Sequence, residues 1–237
     1  MAKIVILSGA GISAESGIST FRDNNGLWEE YDVQVVCNYD SLEKNEDITI
    51  EFYDKRRAEL EDKEPNHAHE VITQLKKRHP NDIAVITQNV DNLFEKSGLA
   101  HEDIIHLHGF MPEVCCQNPN CSFLTDIGYK KQKEVFHGLC PNCSTHLRPN
   151  IVFFGEAAPK YEELQVELDD CELFIVIGTS GYVINTDRIV VNIENSILNN
   201  LEKSDAIFDE LYTKVLYKPA TQAIDEIAQD IELFFML

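Results

Sequence analysis

Short apolar runs that alternate with helical segments constrain the fold of this chain more than any other feature. The runs at residues 3–8, 82–87 and 173–178 have uninterrupted apolar interiors, which is typical of parallel strands covered on both faces. Strands that alternate with helices predict a doubly wound parallel sheet. The fold class expected is therefore α/β with a Rossmann-like domain.

Apolar residues recur at helical spacing in the segments between these runs. We expect helices over residues 48–63, 66–80, 161–170 and 220–235. Asn66 is the expected cap of the second helix, and Pro80 is expected to end it. Further strands are expected over residues 103–109 and in the stretches "NIVFFGE" and "RIVVNIENS".

Glycine-rich or polar turns follow the predicted strands. They read "GAGIS", "QNVDN", "HG" and "GTSG". The carboxyl ends of parallel strands meet at one edge of a sheet, so we expect these turns to form a ligand cleft there. The first loop, "GAGISAESGISTFRDNNGLW", departs from the usual G-x-G-x-x-G pattern. The residues alone therefore indicate a nucleotide-like ligand without naming it.

The net charge narrows the class of partner. The chain of 237 residues has 20 Lys and Arg against 41 Asp and Glu, a net charge of −21. This argues against nucleic acid as a partner, because binding its backbone needs clustered cations. Lysine-bearing protein segments suit the charge better, although a solubilising acidic surface also explains it. No apolar run approaches the roughly 20 residues of a membrane helix and no signal peptide is visible, so we expect a cytoplasmic protein that contacts no membrane.

Two close pairs of cysteines indicate a zinc ribbon. The first pair has C-x4-C spacing, the second reads "CPNC", and 18 residues separate them. Four thiolates leave a zinc ion no open position, so one structural Zn²⁺ is expected. A redox C-x-x-C is the main alternative, and Cys115 is an alternative ligand to its neighbour. The expected ligands are Cys116, Cys121, Cys140 and Cys143.

The cysteine-rich stretch also divides the chain. We expect residues 1–112 and 150–237 to form the Rossmann-like domain that binds the nucleotide-like ligand, with residues 113–149 as a zinc-binding insert. Part of the helical region at residues 30–80 is expected to join the insert in a small domain. Cys37 and Cys171 stand among apolar residues and are expected to be packing thiols.

His108 is the histidine best placed to act in the cleft. His106 and His108 stand two apart on a predicted strand, and His108 ends it at the ligand edge. A histidine in this position is more often structural, but the neighbouring polar turns favour a base that titrates near neutral pH. His137 and His146 lie in the insert and are expected to be bystanders there. The chain has neither G-x-S-x-G nor H-E-x-x-H, so these residues leave the reaction type open.

Taken together, the motifs resemble those of the sirtuin family of NAD-dependent protein-lysine deacylases. The matches follow the family order: "GAGISAESGISTFRDNNGLW", "TQNVDNL", "LHG", the four cysteines, "LRPNIVFFGE", "VIGTSGYVINT" and "VVNIENS". The sequence departs from the family at Ser19, at residues 185–186 and at residues 218–219, which makes the adenine contacts the less secure ones.

The resemblance implies NAD⁺ as cofactor and His108 as the catalytic residue. The acyl oxygen of the modified lysine would attack the ribose C1′ as nicotinamide leaves. His108 would then draw a proton from a ribose hydroxyl, which attacks the imidate carbon. The implied products are free lysine, nicotinamide and O-acyl-ADP-ribose. The implied cofactor-binding residues are Gly9, Ala10, Gly11, Phe21, Arg22, Trp28, Gln88, Asn89, Val90, Asp91, His108, Gly178, Thr179, Ser180, Asn192, Ile193, Glu194 and Ala220.

Tyr53 and Arg56 have the Y-x-x-R spacing of the succinyl- and malonyl-lysine class of this family. A phenol and a guanidinium on one helix face would bind a carboxylate at the end of the acyl group. Val152 would pair with the substrate backbone as an added strand. The resemblance thus implies removal of succinyl and malonyl groups, and of acetyl groups as well.

Other functions remain open from the sequence. A mono-ADP-ribosyltransferase would use the same NAD site, and an acetyl-only deacetylase would use the same chemistry. An NAD-sensing or zinc-stabilised interaction module would use no chemistry at all. The expected partners are proteins or peptides with acylated lysines, and a monomer is expected.

Overall fold

The computed structural model describes residues 3–19, 27–28 and 31–236, with only the backbone described at residues 27–28. The strands are β1 (Ile4–Ser8), β2 (Leu27–Trp28), β3 (Tyr31–Asp32), β4 (Ile83–Thr87), β5 (Ile104–His106), β6 (Gly109–Cys116), β7 (Leu124–Asp126), β8 (Leu147–Ile151), β9 (Leu173–Ile177), β10 (Asn195–Asn200) and β11 (Lys214–Tyr217).

The helices are α1 (Val33–Val36), α2 (Tyr39–Leu42), α3 (Glu46–Leu60), α4 (His67–Arg78), α5 (Leu93–Lys96), α6 (Tyr161–Leu168), α7 (Asp187–Val190) and α8 (Ala220–Phe234). Short 3-10 turns supplement them, including those at Ala10–Ile12 and His101–Asp103. The four longer helices overlap the four predicted from periodicity. Among the described residues, no helix combines the length and the apolar character needed to cross a membrane.

Six parallel strands form the main sheet in the order β11-β10-β9-β1-β4-β5. Strands β4 and β5, from the first half of the chain, lie on one side of the central β1–β9 pair. Strands β10 and β11, from the second half, lie on the other side. The order therefore reverses between β1 and β9, as in doubly wound dinucleotide-binding sheets. The predicted fold class is confirmed.

Two apolar cores cover the faces of this sheet. Alternate residues of β1 point to opposite faces, with Ile4 and Ile6 in one core and Val5 and Leu7 in the other. Helices α4 and α8 cover the first face, whereas α6 and the segment after β10 cover the second. Helix α4 begins at the predicted cap, where the Asn66 side chain accepts a hydrogen bond from the Ala68 amide at 3.0 Å.

A second, antiparallel sheet of three strands has the order β7-β6-β8. Its outer end carries the cysteine pairs, and its base packs against α1–α3 in a separate apolar cluster that includes Phe52, Met111 and Phe153. Strands β6 and β8 extend beyond residues 113–149 on both sides. The domain boundaries given above stay a prediction.

The strand predicted in "RIVVNIENS" is wrong. Its first residues form helix α7, and the strand β10 begins only at Asn195. Asn195 pairs with Leu173, the first residue of β9, so residues 192–194 lie at the amino-terminal edge of the sheet. The alternation of apolar and polar residues favours a strand locally. The segment instead connects the carboxyl end of β9 to the start of β10 at the opposite edge of the sheet.

The predictions for "NIVFFGE" and for residues 103–109 need correction as well. Strand β8 ends at Ile151 and belongs to the antiparallel sheet, not to the parallel one. Strand β5 ends at His106, and His108 lies in the turn before β6. Gly109 has a φ of +94°, and a Cβ there would lie 2.1 Å from the Asn150 carbonyl oxygen. This glycine lets the chain turn from one sheet into the other. Strand β11 was not predicted.

Candidate active site

Three glycines bring two loops into backbone contact where the strand order reverses. The Gly11 amide donates to the Gly178 carbonyl at 2.8 Å, and a Cβ at Gly11 would lie 2.6 Å from the Gly178 Cα. A Cβ at Gly9 would lie 2.8 Å from the same carbonyl oxygen, and Gly178 itself has a φ of +66°. The loops after β1 and β9 thus meet without side chains between them. Such a bare crossing fits a dinucleotide at the carboxyl edge.

A cavity of about 570 Å³ extends from this crossing to helix α3 and strand β8. It brings together residues that stand far apart in the sequence. Of those expected at the site, the lining includes Ala10, Tyr53, Arg56, Gln88, Asn89, Val90, Asp91, His108 and Val152.

His108 faces the cavity in a defined tautomer. Its Nδ1 lies 2.9 Å from the Gln88 carbonyl oxygen, which can only accept, so Nδ1 carries the hydrogen. The lone pair on Nε2 then accepts a hydrogen bond from the Tyr161 hydroxyl at 2.9 Å. Burial lowers the pKa of His108, and the bond to Gln88 partly opposes this effect. The imidazole is therefore suited to accept a proton at Nε2 near neutral pH.

A buried hydrogen-bond network lies beneath the polar loop at residues 88–91. The Ser13 hydroxyl donates to Asp91 Oδ2 at 2.9 Å and accepts from Asn89 Nδ2 at 3.0 Å. The Nε2 of His69 lies 3.4 Å from the same hydroxyl. Burial raises the pKa of Asp91, although hydrogen bonds from Leu93 and Ser13 partly oppose it. The network fixes the loop in position.

Sequence reasoning missed three of these side chains: Ser13, His69 and Tyr161. His69 occupies the third position of α4, where its Nδ1 accepts from the Asn66 amide at 3.3 Å. The side chain at this position, usually Glu or Gln, can complete a capping box by accepting from the backbone amide of the cap residue. The spacing of Asn66 and His69 could therefore have predicted this bond from the sequence. Tyr161 opens α6 and carried no signal, because only the fold brings it to His108.

The polar turn after β9 contacts the loop at residues 88–91 through Gln88. Its Nε2 donates to Thr179 Oγ1 at 3.0 Å, and the Ser180 carbonyl accepts from the Ser204 hydroxyl at 2.6 Å. Ala220 begins α8 and is buried in the core beside Ile12. The Gln88 side chain thus links the loop at residues 88–91 to the turn that contains Thr179.

The structure separates Asn192, Ile193 and Glu194 from the other expected site residues. They precede β10, at the edge of the sheet opposite the glycine crossing. The carboxyl end of β10 lies at the crossing instead, where the Gly178 amide donates to the Asn199 carbonyl at 2.8 Å. The three residues are therefore dropped from the cofactor site. Phe21, Arg22 and the Trp28 side chain lie outside the described residues.

Tyr53 and Arg56 both line the cavity from α3, as their spacing predicts. The Tyr53 hydroxyl donates to Cys37 Sγ at 3.4 Å, and burial raises the pKa of Tyr53 well above its usual range. The Arg56 guanidinium is almost fully buried and forms an ion pair with Glu59 at 3.2 Å. A neutral phenol and a cation thus stand at the same end of the cavity.

Val152 leaves only part of its backbone for an added strand. Its amide donates to the His108 carbonyl at 2.9 Å. Phe154 is similarly engaged, because its amide donates to Cys37 and its carbonyl accepts from Tyr39. The expectation that Val152 pairs with a substrate backbone is therefore restricted to its carbonyl group.

The four cysteines expected to bind zinc come together at the end of the antiparallel sheet. Their sulfur atoms all lie within 4.8 Å of one another, with separations of 3.4 Å (Cys116 to Cys143) and 3.7 Å (Cys121 to Cys140). Zn–S bonds of about 2.3 Å in a tetrahedron place sulfur atoms about 3.8 Å apart, so the cluster fits Zn²⁺. Cys115 points to the opposite face of β6, with its sulfur 3.9 Å from the Pro149 carbonyl.

The two histidines of the insert lie outside this cluster. His146 forms an ion pair with Glu46 at 2.7 Å, and the sulfur group contains neither His146 nor His137. Four sulfur ligands complete a tetrahedral ion, so a zinc bound here would stabilise the insert and leave no position for a substrate.

Comparison with known proteins agrees with this geometry. The family model described as "Sir2 family" matches residues 9–185, most of the chain. The chain belongs to the Sir2 family. This assignment confirms the resemblance to sirtuins drawn from the motifs.

Similar Sir2-family proteins cover nearly the whole chain. A protein of Campylobacter jejuni (strain RM1221), named NAD-dependent protein deacylase, is 48% identical over 235 residues, which is 99% of this chain and 97% of the relative. A protein of the same name from Helicobacter hepaticus is 42% identical over the full length of both chains.

Solved structures of Sir2 homologues share the fold. An ADP-ribose complex of a mutant homologue has a TM-score of 0.84 and 28% identity, covering 99% of this chain and 93% of that one. An NAD complex of a homologue has a TM-score of 0.82 and 29% identity, covering 97% and 89%. The Sir2-family fold thus extends over both sheets of the chain.

Proposed function

We propose that this chain is an NAD-dependent protein-lysine deacylase. The observation that carries the proposal is His108, whose Nε2 lone pair faces a cavity between the glycine crossing and the buried Tyr53–Arg56 pair. The names of the Campylobacter and Helicobacter relatives support the reaction class. The NAD and ADP-ribose complexes of the homologues support the cofactor.

Each part of the site has a role in this reaction. When bound, NAD supplies an ADP-ribosyl group that accepts the acyl oxygen as nicotinamide leaves. Gly9, Gly11 and Gly178 would leave room for the dinucleotide backbone. Ser13 bonds to Asn89 and Asp91 and so fixes the two side chains that would contact the nicotinamide end. His108 accepts a proton at Nε2, and its Nδ1 bond to Gln88 keeps the ring oriented during that transfer.

Tyr161 must move before His108 can act. Its hydroxyl occupies the Nε2 lone pair of His108 at 2.9 Å. Because a lone pair accepts one hydrogen at a time, the substrate hydroxyl has to replace the Tyr161 hydroxyl. The side chain therefore covers the base when no substrate is bound.

We further propose that the pocket accepts succinyl- and malonyl-lysine as well as acetyl-lysine. Arg56 is nearly buried and pairs with Glu59, whose side chain is 38% exposed. A substrate carboxylate would enter beside Tyr53 and compete with Glu59 for the guanidinium. A charge-assisted bond is worth about 1.5–3 kcal/mol, or roughly tenfold to a hundredfold in selectivity over acetyl-lysine.

Product analysis tests the reaction class. We expect incubation with NAD and acetyl-, succinyl- or malonyl-lysine peptides to give free lysine, nicotinamide and O-acyl-ADP-ribose, detected by mass spectrometry. A protein or peptide made heavier by ADP-ribose, with the acyl group retained, would show an ADP-ribosyltransferase instead. If no peptide caused release of nicotinamide, the protein would be an NAD-sensing or zinc-stabilised interaction module and not an enzyme of this class.

Arg56→Met tests the acyl preference. The substitution keeps apolar bulk but removes the cation, so we expect kcat/KM for succinyl-lysine to fall roughly tenfold to a hundredfold while the acetyl value changes little. Lys63→Met is a matched control, because it removes another cation that lines the same cavity. Equal loss of both activities in Arg56→Met would contradict the proposed carboxylate pocket and leave the deacylase assignment intact.

A further inference from the structure

Glu95, His101 and His106 form a cluster outside both the candidate active site and the cysteine cluster. Glu95 lies on α5, His101 begins a 3-10 turn, and His106 ends β5. One oxygen of Glu95 lies 2.8 Å from His101 Nδ1 and 2.8 Å from His106 Nε2. The three ligand atoms all lie within 4.8 Å of one another.

A neutral His106 ring cannot satisfy both of its polar contacts, because each of its nitrogen atoms faces an acceptor. His106 Nδ1 lies 3.3 Å from the Asn89 carbonyl oxygen, which can only accept, so this contact is a hydrogen bond when Nδ1 carries the hydrogen. In the neutral ring, Nε2 then presents a lone pair to the Glu95 carboxylate. Two lone pairs at 2.8 Å repel unless a proton or a metal ion lies between them. A ring N–H bound to a backbone carbonyl is also the usual support of a metal-bound imidazole.

The surrounding contacts hold the ligands in place. The two imidazole rings stack with centroids 5.2 Å apart and planes 16° from parallel. Phe110 contacts both rings, with centroid distances of 4.5 Å to His101 and 4.9 Å to His106. The rings therefore need no large rearrangement to bind an ion.

Glu95 has a second oxygen to offer. Its Oε2 is buried, and among the described residues it has no hydrogen-bond partner. A buried carboxylate oxygen without a partner is unfavourable, and coordination of a cation by both oxygens would satisfy it. His101 is about half exposed, so an ion can enter from solvent on its side.

We propose that Glu95, His101 and His106 form a second metal site for a divalent first-row transition-metal ion. Two imidazoles and one carboxylate suit ions such as Zn²⁺, Co²⁺ and Ni²⁺, and water completes the coordination. The net charge of −21 favours the accumulation of cations at the surface. The site adjoins the polar loop at residues 88–91 through the Asn89 carbonyl, so a bound ion would stiffen that loop.

Nickel binding to the zinc-loaded protein tests the site. We expect equilibrium dialysis followed by elemental analysis to show one Ni²⁺ per chain beyond the zinc, bound by nitrogen and oxygen ligands in X-ray absorption. His101→Ala should weaken this binding roughly tenfold or more, since even the loss of a supporting residue has that effect. The substitution is at a half-exposed side chain, so the fold should tolerate it.

His67→Ala is the matched control. His67 is also half exposed and pairs with one carboxylate, Asp225, at 2.8 Å, but within the described part of the chain the two belong to no three-ligand group. This variant should bind Ni²⁺ as the wild type does. Equal binding by wild type and His101→Ala, sulfur ligands to the nickel, or no additional ion at millimolar Ni²⁺ would each overturn the proposal. In the last case a proton, and not a metal ion, joins His106 to Glu95.

Discussion

Acid should destabilise this protein through His69, a buried histidine that stays neutral in the fold. Burial lowers the pKa of His69 to about 4, whereas an unfolded histidine titrates near 6.5. Between these values the unfolded chain binds a proton that the folded chain excludes, so stability falls as the pH falls. The contribution of neutral His69 is complete above pH 6.5 and is lost progressively down to pH 4.

The expected loss follows from the two pKa values. A difference of about 2.5 units corresponds to a total of about 3 kcal/mol. Between pH 7 and pH 5 the same two pKa values give a loss of about 2 kcal/mol. Protonation of Asp91 acts in the opposite direction, because burial raises its pKa in the fold. A comparison with a variant is therefore needed to isolate His69.

His69→Gln is the informative variant. Glutamine does not titrate, yet its amide can accept from the Asn66 backbone, donate to Ser13 and so keep both hydrogen bonds of His69. The free energy of unfolding is measured with urea at pH 7 and at pH 5, with the same zinc concentration throughout. Its decrease between the two pH values should be about 2 kcal/mol larger for the wild type than for the variant. His67→Gln is the matched control, because it removes a histidine from the same helix that is not buried. Equal losses in wild type and His69→Gln would refute the argument.

Three further substitutions test the site and the cysteine cluster. His108→Ala should abolish deacylation while calorimetry shows NAD binding retained, because only the base is lost; turnover at the wild-type rate would remove His108 from the mechanism. Cys140→Ser should lower both zinc content and melting temperature, whereas Cys115→Ser should keep both, since its sulfur lies outside the cluster. Tyr161→Phe should raise kcat/KM about two- to tenfold, because no hydrogen bond to Nε2 has to break first; a fall would show that the hydroxyl assists His108.

Local patterns were enough for the elements whose formation depends on nearby residues. The interior of β1 is apolar throughout, and a strand of this kind has to be covered on both faces wherever it lies. Asn66 caps α4 through the Ala68 amide two residues on, and that bond needs no tertiary contact. The spacing of the cysteine pairs likewise carried the zinc-ribbon prediction, because each turn presents two sulfur atoms by itself.

Only the tertiary structure decided which distant residues meet. The stretch "RIVVNIENS" alternates as a strand does, yet its first part became α7 because the chain had to return to the amino-terminal edge before β10. Tyr161 reaches His108 across 53 residues, and His101 and His106 share one oxygen of Glu95. Such contacts depend on how helices and loops pack over the sheet. The residue types determined by themselves what chemistry the chain can carry, and the packing determined where that chemistry is assembled.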